Sequence, residues 1–443
     1  MKQLARIPYA AAGYVAGLLA AVAPTGSSKT ARALSSRRGI RRRYADWAAR
    51  NRDIARPLVW FHAPSVGEGL QAAPVIELFR QRHPEAQVVY TFFSPSAEQF
   101  GATVGADFHD YLPFDTAGDA AAIIESLRPT ALVFSKLDVW PLLVESGAKK
   151  GVKLGLLSAT MPQSSRRSSR LARLALGDAY GALDTVGAVS EADAGRLVQA
   201  GVRRERITIT GDTRYDQAWA RAQKTLGEKE SLLTPLRAAR VTLVAGSTWP
   251  ADEERLLPAW LDIREAHSDA RLVIAPHELS EKHLASLESW ARSNGLTSSR
   301  VNRRTLELSA QRGGTPASGV ADVLIVDGYG ILGDLYALAD IAYVGGGFGD
   351  AGLHSVLEPA AFGGPVLVGP RHTDNRDAAL LVAAGGGFRC ADRESLANRI
   401  RQLLDDPASM RTAGAAALEV VRSGLGAAEQ SVSLVEQLMF GER

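Results

Sequence analysis

Apolar runs of strand length alternate with amphipathic runs of helix length along the chain from Pro57 onward. The apolar runs of the first half read LVWFHA, QVVYTFF, ALVFSK, KLGLLSA and TVGAVS. Helical spacing of apolar residues separates them at Leu70–Arg82, Ala117–Leu127, Arg166–Leu176 and Ala192–Ala200. This order predicts a parallel sheet wrapped by helices, which the segment ITITGDTRYD (207–216) completes.

A second alternating unit follows the polar, helix-prone segment 217–240, where we place the crossover between domains. Its pattern reads VTLVAGST, helix Glu253–Ala266, RLVIAPH, helix Glu281–Asn294, a Gly/Pro/Ser-rich loop near 311–319, DVLIVDGYG, helix Leu332–Ala339, and terminal helices at 394–404 and 407–438. We therefore predict an α/β protein of two doubly wound Rossmann-like domains, 57–220 and 221–443, which face a central cleft. Such sheets bind ligands at the carboxyl ends of their strands, so the predicted site lies in that cleft.

The stretch from Ala342 to Asn375 carries the strongest binding signal. It reads as a strand, a turn with Gly345, Gly346, Gly347 and Gly349, a helix over His354–Phe362 that contains Glu358, and the strand PVLVGP. A glycine turn that leads into a helix N-terminus binds anions, and a carboxylate one turn later can accept hydrogen bonds from ribose hydroxyls. The stretch therefore indicates a nucleotide-sugar site. A plain βαβ turn with packing glycines is the alternative, because glycine-rich turns are weak signals.

Other polar clusters follow predicted strands at six places. They are His62–Glu68, Lys136–Pro141, Thr213–Asp216, Gly246–Thr248, Ala275–His277 and Asp327–Gly330. Each has a structural alternative: Glu68 is also a normal acid at a helix N-terminus, and Lys136 can pair with Asp138. Six strand-end clusters in one two-domain chain nevertheless favour a binding site.

The N-terminal residues 1–56 differ from the rest of the chain. Pro8–Pro24 is apolar and uncharged, slightly shorter than the roughly 20 residues of a spanning helix, and the arginine-rich block Arg37–Arg43 follows it. We predict a membrane anchor with a basic collar that binds anionic lipid on the cytoplasmic face. The alternatives are a secretory signal, an ordinary buried helix with a solvated basic loop, and a nucleic-acid site. The last is weak because only Tyr44 and Trp47 lie among the arginines.

Composition narrows the class of protein further. The 443 residues are 46% hydrophobic and 22% charged, as in globular proteins. Residues 1–57 hold twelve Lys/Arg and two acids, so the remaining chain has 39 of the 51 basic residues and 46 of the 48 acidic residues. A single cysteine, Cys390, excludes an internal disulfide and fits a reducing compartment. No Cys/His cluster has zinc spacing, so we expect no metal.

The motifs occur in an order that resembles the Kdo (3-deoxy-D-manno-octulosonic acid) transferase family of lipopolysaccharide synthesis. They are VWFHAPSVGE, YLPFD, KLDVWP, SEADAGRL, ITITGDTRYD, AGSTWPADEE, IAPHE, LGDLYALADIAYVGGGF and LEPAAFGGPVLVGP. The resemblance runs to about residue 385, and SVGE and LEPAAFG are its most specific segments.

This resemblance implies a GT-B glycosyltransferase that moves Kdo from CMP-Kdo to lipid IVA with inversion and without a metal. It implies that domain 57–220 binds the acceptor and that domain 221–443 binds the donor. CMP-Kdo is then a substrate, and no further cofactor is expected. The phosphorylated lipid A precursor is a second partner of the basic collar, beside anionic lipid. The enzyme is then expected at the cytoplasmic face of the inner membrane, without nucleic acid as a partner.

Three residues receive catalytic roles through the resemblance. Glu68 matches the glutamate of SxGE, the general base on the acceptor hydroxyl. Asp138 matches an acid that stabilises the transition state, which is more often Glu in the family. Arg214 matches a lysine with a similar role.

Donor-binding roles fall on the second domain. The candidates are Ser247, Thr248, Pro276, His277, Tyr329, Gly330, Ile331, Gly346, Gly347, Ser355, Glu358 and Asn375. The chain departs from the family here: His277 replaces an arginine, Tyr329-Gly330-Ile331 replaces Met-Gly-Glu, and only Leu357 and Glu358 remain of Asn-Pro-Leu-Glu.

Two other functions compete with Kdo transfer. Another GT-B transferase or a sugar-nucleotide epimerase that uses a UDP-sugar shares the glycine turn and the ribose carboxylate, but an epimerase needs neither the anchor nor the SVGE base. A membrane-tethered binding protein that has lost catalysis would show altered donor segments such as APHE, GYGI and SVLE. The retained Glu68 argues against that interpretation.

Overall fold

The computed structural model describes residues 3–22, 26, 28–162, 170–227, 233, 236, 240–312, 321–373 and 375–441. The chain forms two compact units, one of Met1–Gln217 with Leu425–Arg443 and the other of Ala218–Gly424. Each unit holds one parallel sheet of seven strands, as the alternating sequence pattern predicts.

The first sheet has the strand order β3-β2-β1-β4-β5-β6-β7. Its strands are β1 Leu58–His62, β2 Gln87–Phe92, β3 Phe108–Tyr111, β4 Ala131–Ser135, β5 Lys153–Ala159, β6 Thr185–Ala188 and β7 Ile207–Ile209. The central strands β1, β2 and β4 are buried at every residue, which explains why they read as unbroken apolar runs.

The helices of the first unit precede and connect these strands. They are α1 Gln3–Val22, α2 Lys29–Ser35, α3 Ile40–Asn51, α4 Val66–Arg82, α5 Glu98–Gly101, α6 Ala117–Leu127, α7 Pro141–Lys149, α8 Arg170–Gly181, α9 Glu191–Ala200 and α10 Thr213–Gly227, the last of which runs into the second unit. The predicted helix Arg166–Leu176 lies partly outside the described residues.

The second sheet has the order β10-β11-β9-β8-β12-β13-β14. Its strands are β8 Thr242–Thr248, β9 Arg271–Pro276, β10 Ser298–Val301, β11 Val323–Val326, β12 Ile341–Val344, β13 Val366–Val368 and β14 Gly387–Arg389. Its helices are α11 Pro250–Arg264, α12 Glu281–Ser293, α13 Arg303–Arg312, α14 Leu332–Leu335, α15 Leu357–Ala360, α16 Arg376–Ala383, α17 Arg393–Asp405 and α18 Pro407–Ser423. The predicted loop near 311–319 lies almost wholly outside the described residues, as does much of the crossover after Gly227.

Side chains of the second sheet alternate between two cores. On β8, Leu243 and Ala245 pack with Trp260 on one face, and Val244 packs with Tyr336 on the other. This alternation is the two-residue period of a strand, and it leaves polar groups room only where strands end.

The end of the chain differs from the prediction. In place of one helix over 407–438, α18 ends at Ser423 and a new helix, α19 Ala427–Phe440, begins after Gly426, whose φ is 96°. Asp216 accepts hydrogen bonds from the backbone N–H groups of Gly426 (2.8 Å) and Ala428 (3.0 Å) and thus caps α19. Helix α19 packs in the first unit, so the assignment of all residues after 221 to the second domain is wrong at the C-terminus.

The predicted helix over His354–Phe362 is also shorter than expected, because α15 covers only Leu357–Ala360. Residues 354–356 lie outside the helix, and Pro359 has no N–H to donate to the Ser355 carbonyl, as a helix that began at His354 would require. Glu358 therefore lies in the first turn of a four-residue helix.

Three arginines of the block Arg37–Arg43 are bound within the first unit. Arg37 is only 4% exposed, Arg43 pairs with Asp110 at 2.6 Å, and Arg41 pairs with Asp119. Arg42 is 86% exposed and lies 3.5 Å from Asp46.

Helix α1 packs against α2 and α8, and the Tyr9 hydroxyl donates to Asp115 Oδ2 at 2.9 Å. Within the described residues, no helix has both the length and the apolar character that a membrane span requires.

Arg37 ties the N-terminal helices to the loops that follow β2 and β3. Its guanidinium donates to the carbonyls of Leu112 (2.8 Å), Phe93 (2.8 Å) and Ala33 (2.5 Å). The same guanidinium lies 4.0 Å from the ring centroid of Phe93 and 4.9 Å from that of Phe114. Burial lowers the pKa of Arg37 to about 10, so the group remains charged at neutral pH.

We predict that Arg37→Met destabilises the protein by about 2–4 kcal/mol, because three carbonyls lose a charged donor and the ring contacts lose their cation. The matched control is Arg42→Met, in which an exposed arginine from the same block changes stability by less than about 0.5 kcal/mol. Denaturant unfolding of the first unit measures both. Equal stability of the two variants would contradict the structural role of Arg37.

Candidate active site

Glu68 lies in the first turn of α4, directly after the carboxyl end of β1. Its side chain is 17% exposed. The Ser65 hydroxyl donates to Glu68 Oε2, and Lys136 Nζ lies 3.2 Å from Oε1. Burial raises the pKa of Glu68, but the Ser65 hydrogen bond and the Lys136 ammonium outweigh it and hold this pKa below its usual value. The carboxylate is therefore ionised at neutral pH.

The loop after β4 brings Lys136, Asp138 and Trp140 to the same edge of the sheet. The Trp140 indole N–H donates to His62 Nε2 at 3.1 Å, and the Tyr180 hydroxyl donates to the Leu137 carbonyl at 3.0 Å. Trp140 and Tyr180 thus hold the loop on both sides of Asp138, and the negative charge of Asp138 acts on His62 of β1.

His62 is fully buried and neutral. Its Nε2 accepts from Trp140, so Nδ1 carries the proton and donates to Thr91 Oγ1 at 3.0 Å. Burial lowers the pKa of His62 to about 4, although the negative charge of Asp138 opposes this shift. Through these two hydrogen bonds, His62 links β1 to β2 and to the loop that carries Asp138.

The guanidinium of Arg214 pairs with the carboxylate of Asp212. Its Nε and one terminal nitrogen donate to Asp212 Oδ2 at 2.9 and 2.6 Å, and Gln71 donates to Asp212 Oδ1 at 3.2 Å. Gln71 lies on α4, three residues after Glu68, so Asp212 links Arg214 to the helix that carries the candidate base. Asp212 was not singled out from the sequence, although its position two residues before Arg214 after a strand was a usable signal.

In the second unit, Asp252 organises the glycine turn. This fully buried carboxylate accepts from the N–H groups of Trp249 (2.9 Å) and Gly346 (2.8 Å) and from the Tyr343 hydroxyl (2.8 Å). Gly346 has φ 94°, and any Cβ on Gly347 would overlap the backbone of Gly369. The turn is thus built from backbone packed on backbone. The sequence signal for Asp252, an acid at the third position of a helix after a strand, was overlooked.

Ser247 and Thr248 end β8, but they are not equivalent. Ser247 is half-buried with φ 52°, whereas the buried Thr248 hydroxyl donates to Glu253 at 2.8 Å. Thr248 therefore contributes to α11, and Ser247 is the residue of this pair that has an exposed part.

Three aromatic rings form a column at the same edge. His277 stacks on Trp249 and on His354, with ring centroids 4.5 Å apart in each pair. Pro276 ends β9 and places His277 there. Burial and His277 lower the pKa of His354. Neither Trp249 nor His354 was among the predicted site residues, and stacking across loops leaves no signal in sequence spacing.

Glu358 lies half-buried beside Tyr336, and within the described residues its carboxylate has no hydrogen bond or ion pair. Burial raises the pKa of Glu358, partly offset by the charge of Arg221. Arg221 itself donates to Asp334 and to the Gly330 carbonyl, both at 2.9 Å. An unsatisfied carboxylate at this position is available to a ligand that brings hydroxyl donors.

The remaining predicted donor residues differ in accessibility. Tyr329 is 76% exposed, Gly330 has φ 87°, and Ser355 is half-buried. The side chain of Ile331 is buried in the core, so it is not available to a ligand. The Asn375 side chain caps α16 by accepting from Ala378 N–H at 3.0 Å.

The chain is similar in sequence to known transferases. Residues 34–217 match the family model described as 3-Deoxy-D-manno-octulosonic-acid transferase (kdotransferase). A 3-deoxy-D-manno-octulosonic acid transferase of Chlamydia muridarum is 30% identical over 364 residues, which cover 79% of each chain. One of Bordetella pertussis is 29% identical over 388 residues, covering 85% of this chain and 86% of the relative.

Solved structures share the fold at low sequence identity. A putative UDP-N-acetylglucosamine 2-epimerase from Listeria monocytogenes has a TM-score of 0.61 at 14% identity and covers 88% of this chain and 98% of its own. UDP-GlcNAc 2-epimerase from Neisseria meningitidis, bound to UDP-GlcNAc, has a TM-score of 0.61 at 16% identity and covers 86% and 100%. These likenesses concern the fold alone and confirm the predicted GT-B class.

Proposed function

Because the chain belongs to the 3-deoxy-D-manno-octulosonic acid transferase family, we propose that its donor is CMP-Kdo and its acceptor the lipid A precursor lipid IVA. The protein is a glycosyltransferase that transfers Kdo in lipopolysaccharide synthesis. The observation that carries the finer proposal is Glu68, a largely buried carboxylate that Ser65 and Lys136 keep ionised at the carboxyl edge of the first sheet.

The proposed reaction is a single displacement with inversion. Glu68 takes the proton of the acceptor hydroxyl while that oxygen forms a bond to the anomeric carbon of Kdo. The bond between this carbon and the phosphate oxygen of CMP breaks, and CMP leaves with the electron pair. An ionised carboxylate is the required form of the base, and the lowered pKa of Glu68 supports it.

Arg214 and Asp138 receive supporting roles in this proposal. The Arg214 side chain is 39% exposed and Asp212 fixes its guanidinium, whose positive charge would stabilise the leaving phosphate. Asp138 lies close enough to His62 to affect its pKa, and a carboxylate there would stabilise positive charge that develops on the sugar ring.

The second unit is the proposed donor site. Glu358 lacks partners among the described residues and would accept hydrogen bonds from the two ribose hydroxyls of CMP. The glycine turn at Gly346 and Gly347 allows close approach of the phosphate, and the exposed part of Ser247 lies at the end of the neighbouring strand β8. The stacked rings of Trp249, His277 and His354 provide a flat surface at the same edge of the sheet.

We further propose that α1 lies on the cytoplasmic face of the inner membrane. Its Tyr14, Val15, Leu18 and Leu19 are more than half exposed and, at helical spacing, form one apolar stripe. Arg38 and Arg42 are exposed in the following segment and would face anionic headgroups. Tyr9 and Gly13 of the same helix lie against Asp115. The residues that attach α1 to the first unit are therefore not those of the exposed apolar stripe.

We predict that Glu68→Gln lowers kcat by about 10²–10⁴-fold, because the amide has no basic lone pair, and leaves CMP affinity nearly unchanged. Glu77→Gln, an exposed acid on the same helix, is the matched control and should keep parental turnover. Steady-state rates with CMP-Kdo and lipid IVA and the melting temperature are measured on both variants. Turnover of Glu68→Gln within a few-fold of the parent, with a stability loss of about 0.3–1 kcal/mol, would make Glu68 a helix-end charge only.

Glu358→Gln tests the donor site. It should weaken CMP binding by about 1.5–3 kcal/mol, since two charge-assisted hydrogen bonds are lost. Because burial raises the pKa of Glu358, CMP affinity of the parent should also fall with decreasing pH, and the variant should lose this dependence. Calorimetric titration with CMP and UDP measures both effects, with Glu394→Gln, an exposed acid of the same unit, as the control. Tighter binding of UDP than of CMP to the parent would contradict the Kdo donor and favour a UDP-sugar.

The membrane proposal predicts that Leu18→Asp with Leu19→Asp releases the protein from vesicles of phosphatidylcholine and phosphatidylglycerol, since two apolar anchors become charged. Arg38→Gln with Arg42→Gln should weaken the same binding by about 1 kcal/mol per arginine, and added salt should reduce this difference. Co-sedimentation measures the bound fraction. Leu380→Asp, at an exposed leucine of the second unit, is the control. Equal binding of the parent to vesicles of phosphatidylcholine alone would refute the electrostatic part.

A further inference from the structure

We propose that Lys136 is a positioning residue for the transfer reaction: its ammonium group binds one oxygen of the Glu68 carboxylate, fixes the orientation of that carboxylate and holds a positive charge beside it. This inference rests on the proposed role of Glu68 as the general base. Lys136 had no role in the sequence interpretation beyond a pairing with Asp138. The structure places its Nζ 3.2 Å from Glu68 Oε1.

The two carboxylate oxygens of Glu68 are held from two sides. Lys136 binds Oε1 from the loop after β4, and the Ser65 hydroxyl binds Oε2 from the residue that precedes α4. A carboxylate with one partner rotates about its last torsion angle, whereas one with a partner on each oxygen keeps its plane. Each oxygen retains a further lone pair that can accept a proton. The arrangement therefore orients Glu68 without blocking it.

The backbone at Lys136 is adapted to this contact. Its φ is 67°, a left-handed conformation that is strained in residues other than glycine. The Lys136 N–H donates to the Leu157 carbonyl at 2.8 Å, and Tyr180 holds the next residue, so the surrounding fold maintains the conformation. A lysine at a position that favours glycine indicates that the side chain is needed there.

Asp138, from the loop after β4, acts on His62 as Glu68 does, and two further titratable groups near Glu68 carry no charge at neutral pH. His62, from β1, is buried with a pKa of about 4, and Tyr90, from β2, has a buried hydroxyl whose pKa burial and Glu68 raise. The Tyr90 hydroxyl has no hydrogen-bond partner within the described chain. The positive charge beside Glu68 in this group is therefore that of Lys136, whose side chain is 43% exposed.

A general base must be ionised and must also bind a proton tightly, and the Lys136 ammonium affects these two requirements in opposite directions. It favours the ionised carboxylate, which extends activity to lower pH, and it weakens the affinity of that carboxylate for a proton, which limits the maximal rate. Removal of the charge should therefore lower activity in acid while leaving the rate at higher pH within a few-fold of the parent. A purely structural role for Lys136 would reduce activity equally at all pH values.

The test is the pH profile of kcat/KM and kcat for Lys136→Met, with CMP-Kdo and lipid IVA as substrates. We expect the acid limb to move to higher pH, so that the activity ratio of variant to parent is about three- to tenfold lower at pH 5 than at pH 8. Lys136→Arg keeps the charge and should restore the parental limb. Lys149→Met, which removes a lysine paired with Glu145 at 2.7 Å on the surface of α7, should not move it.

The outcomes separate this inference from the proposed function. If the acid limb of Lys136→Met stays in place while Glu68→Gln is inactive, the inference is overturned and the base assignment stands. If Glu68→Gln retains turnover, the base assignment fails, whatever Lys136 does. A raised KM for either substrate without a moved limb would show that Lys136 contacts substrate instead. Lys136→Gln, which keeps a polar side chain without the charge, repeats the test should the methionine variant not fold.

Discussion

Burial of both faces of each parallel sheet is the constraint on which the rest of this structure depends. Strands such as Leu58–His62 and Val323–Val326 offer no solvated face, so polar chemistry is confined to the strand ends. The chain must bend sharply there. Three of the four non-glycine residues with positive φ in the described chain, Lys136, Ser158 and Ser247, lie at or directly after the carboxyl ends of β4, β5 and β8. Conformational strain and candidate chemistry thus coincide.

The same constraint explains which parts of the fold and of the candidate site could be predicted from the sequence alone. Unbroken apolar runs identified the strands, and glycine or acidic residues after them identified the strand ends of each sheet, at Glu68 in the first unit and at Gly346 in the second. Contacts between side chains from distant segments could not be read in this way. The Glu68–Lys136 pair joins residues 68 positions apart, and the Asp252–Gly346 hydrogen bond joins residues 94 apart. The break before α19 escaped prediction because Asp216, far away in sequence, supplies its cap.

The departures from the family pattern in the second unit acquire a physical meaning in the structure. His277, where the family pattern has arginine, is one of three stacked rings, and its neighbour His354 is half-buried with a lowered pKa. Stacked rings offer an apolar surface and weak hydrogen bonds where a guanidinium offers a fixed charge. The backbone elements of the site, Gly346 and Gly347, keep the geometry that only glycine permits. The departures from the family pattern therefore fall on side chains of the candidate donor site, whereas its glycine backbone is retained.

The Arg37 contacts also set a limit on how the protein can be shortened. Phe93, which receives the Arg37 guanidinium, packs on Trp140 with ring centroids 4.9 Å apart, and Trp140 in turn holds His62 and the Asp138 loop. A chain that starts before α2 keeps this continuous set of contacts. A chain that starts at Ile40 would retain both sheets, yet it would lack the cation beneath Phe93 and leave the Leu112 carbonyl without its donor. Material prepared in that form would fold with altered contacts around Trp140 and the Asp138 loop, so measurements on it would not describe the whole protein.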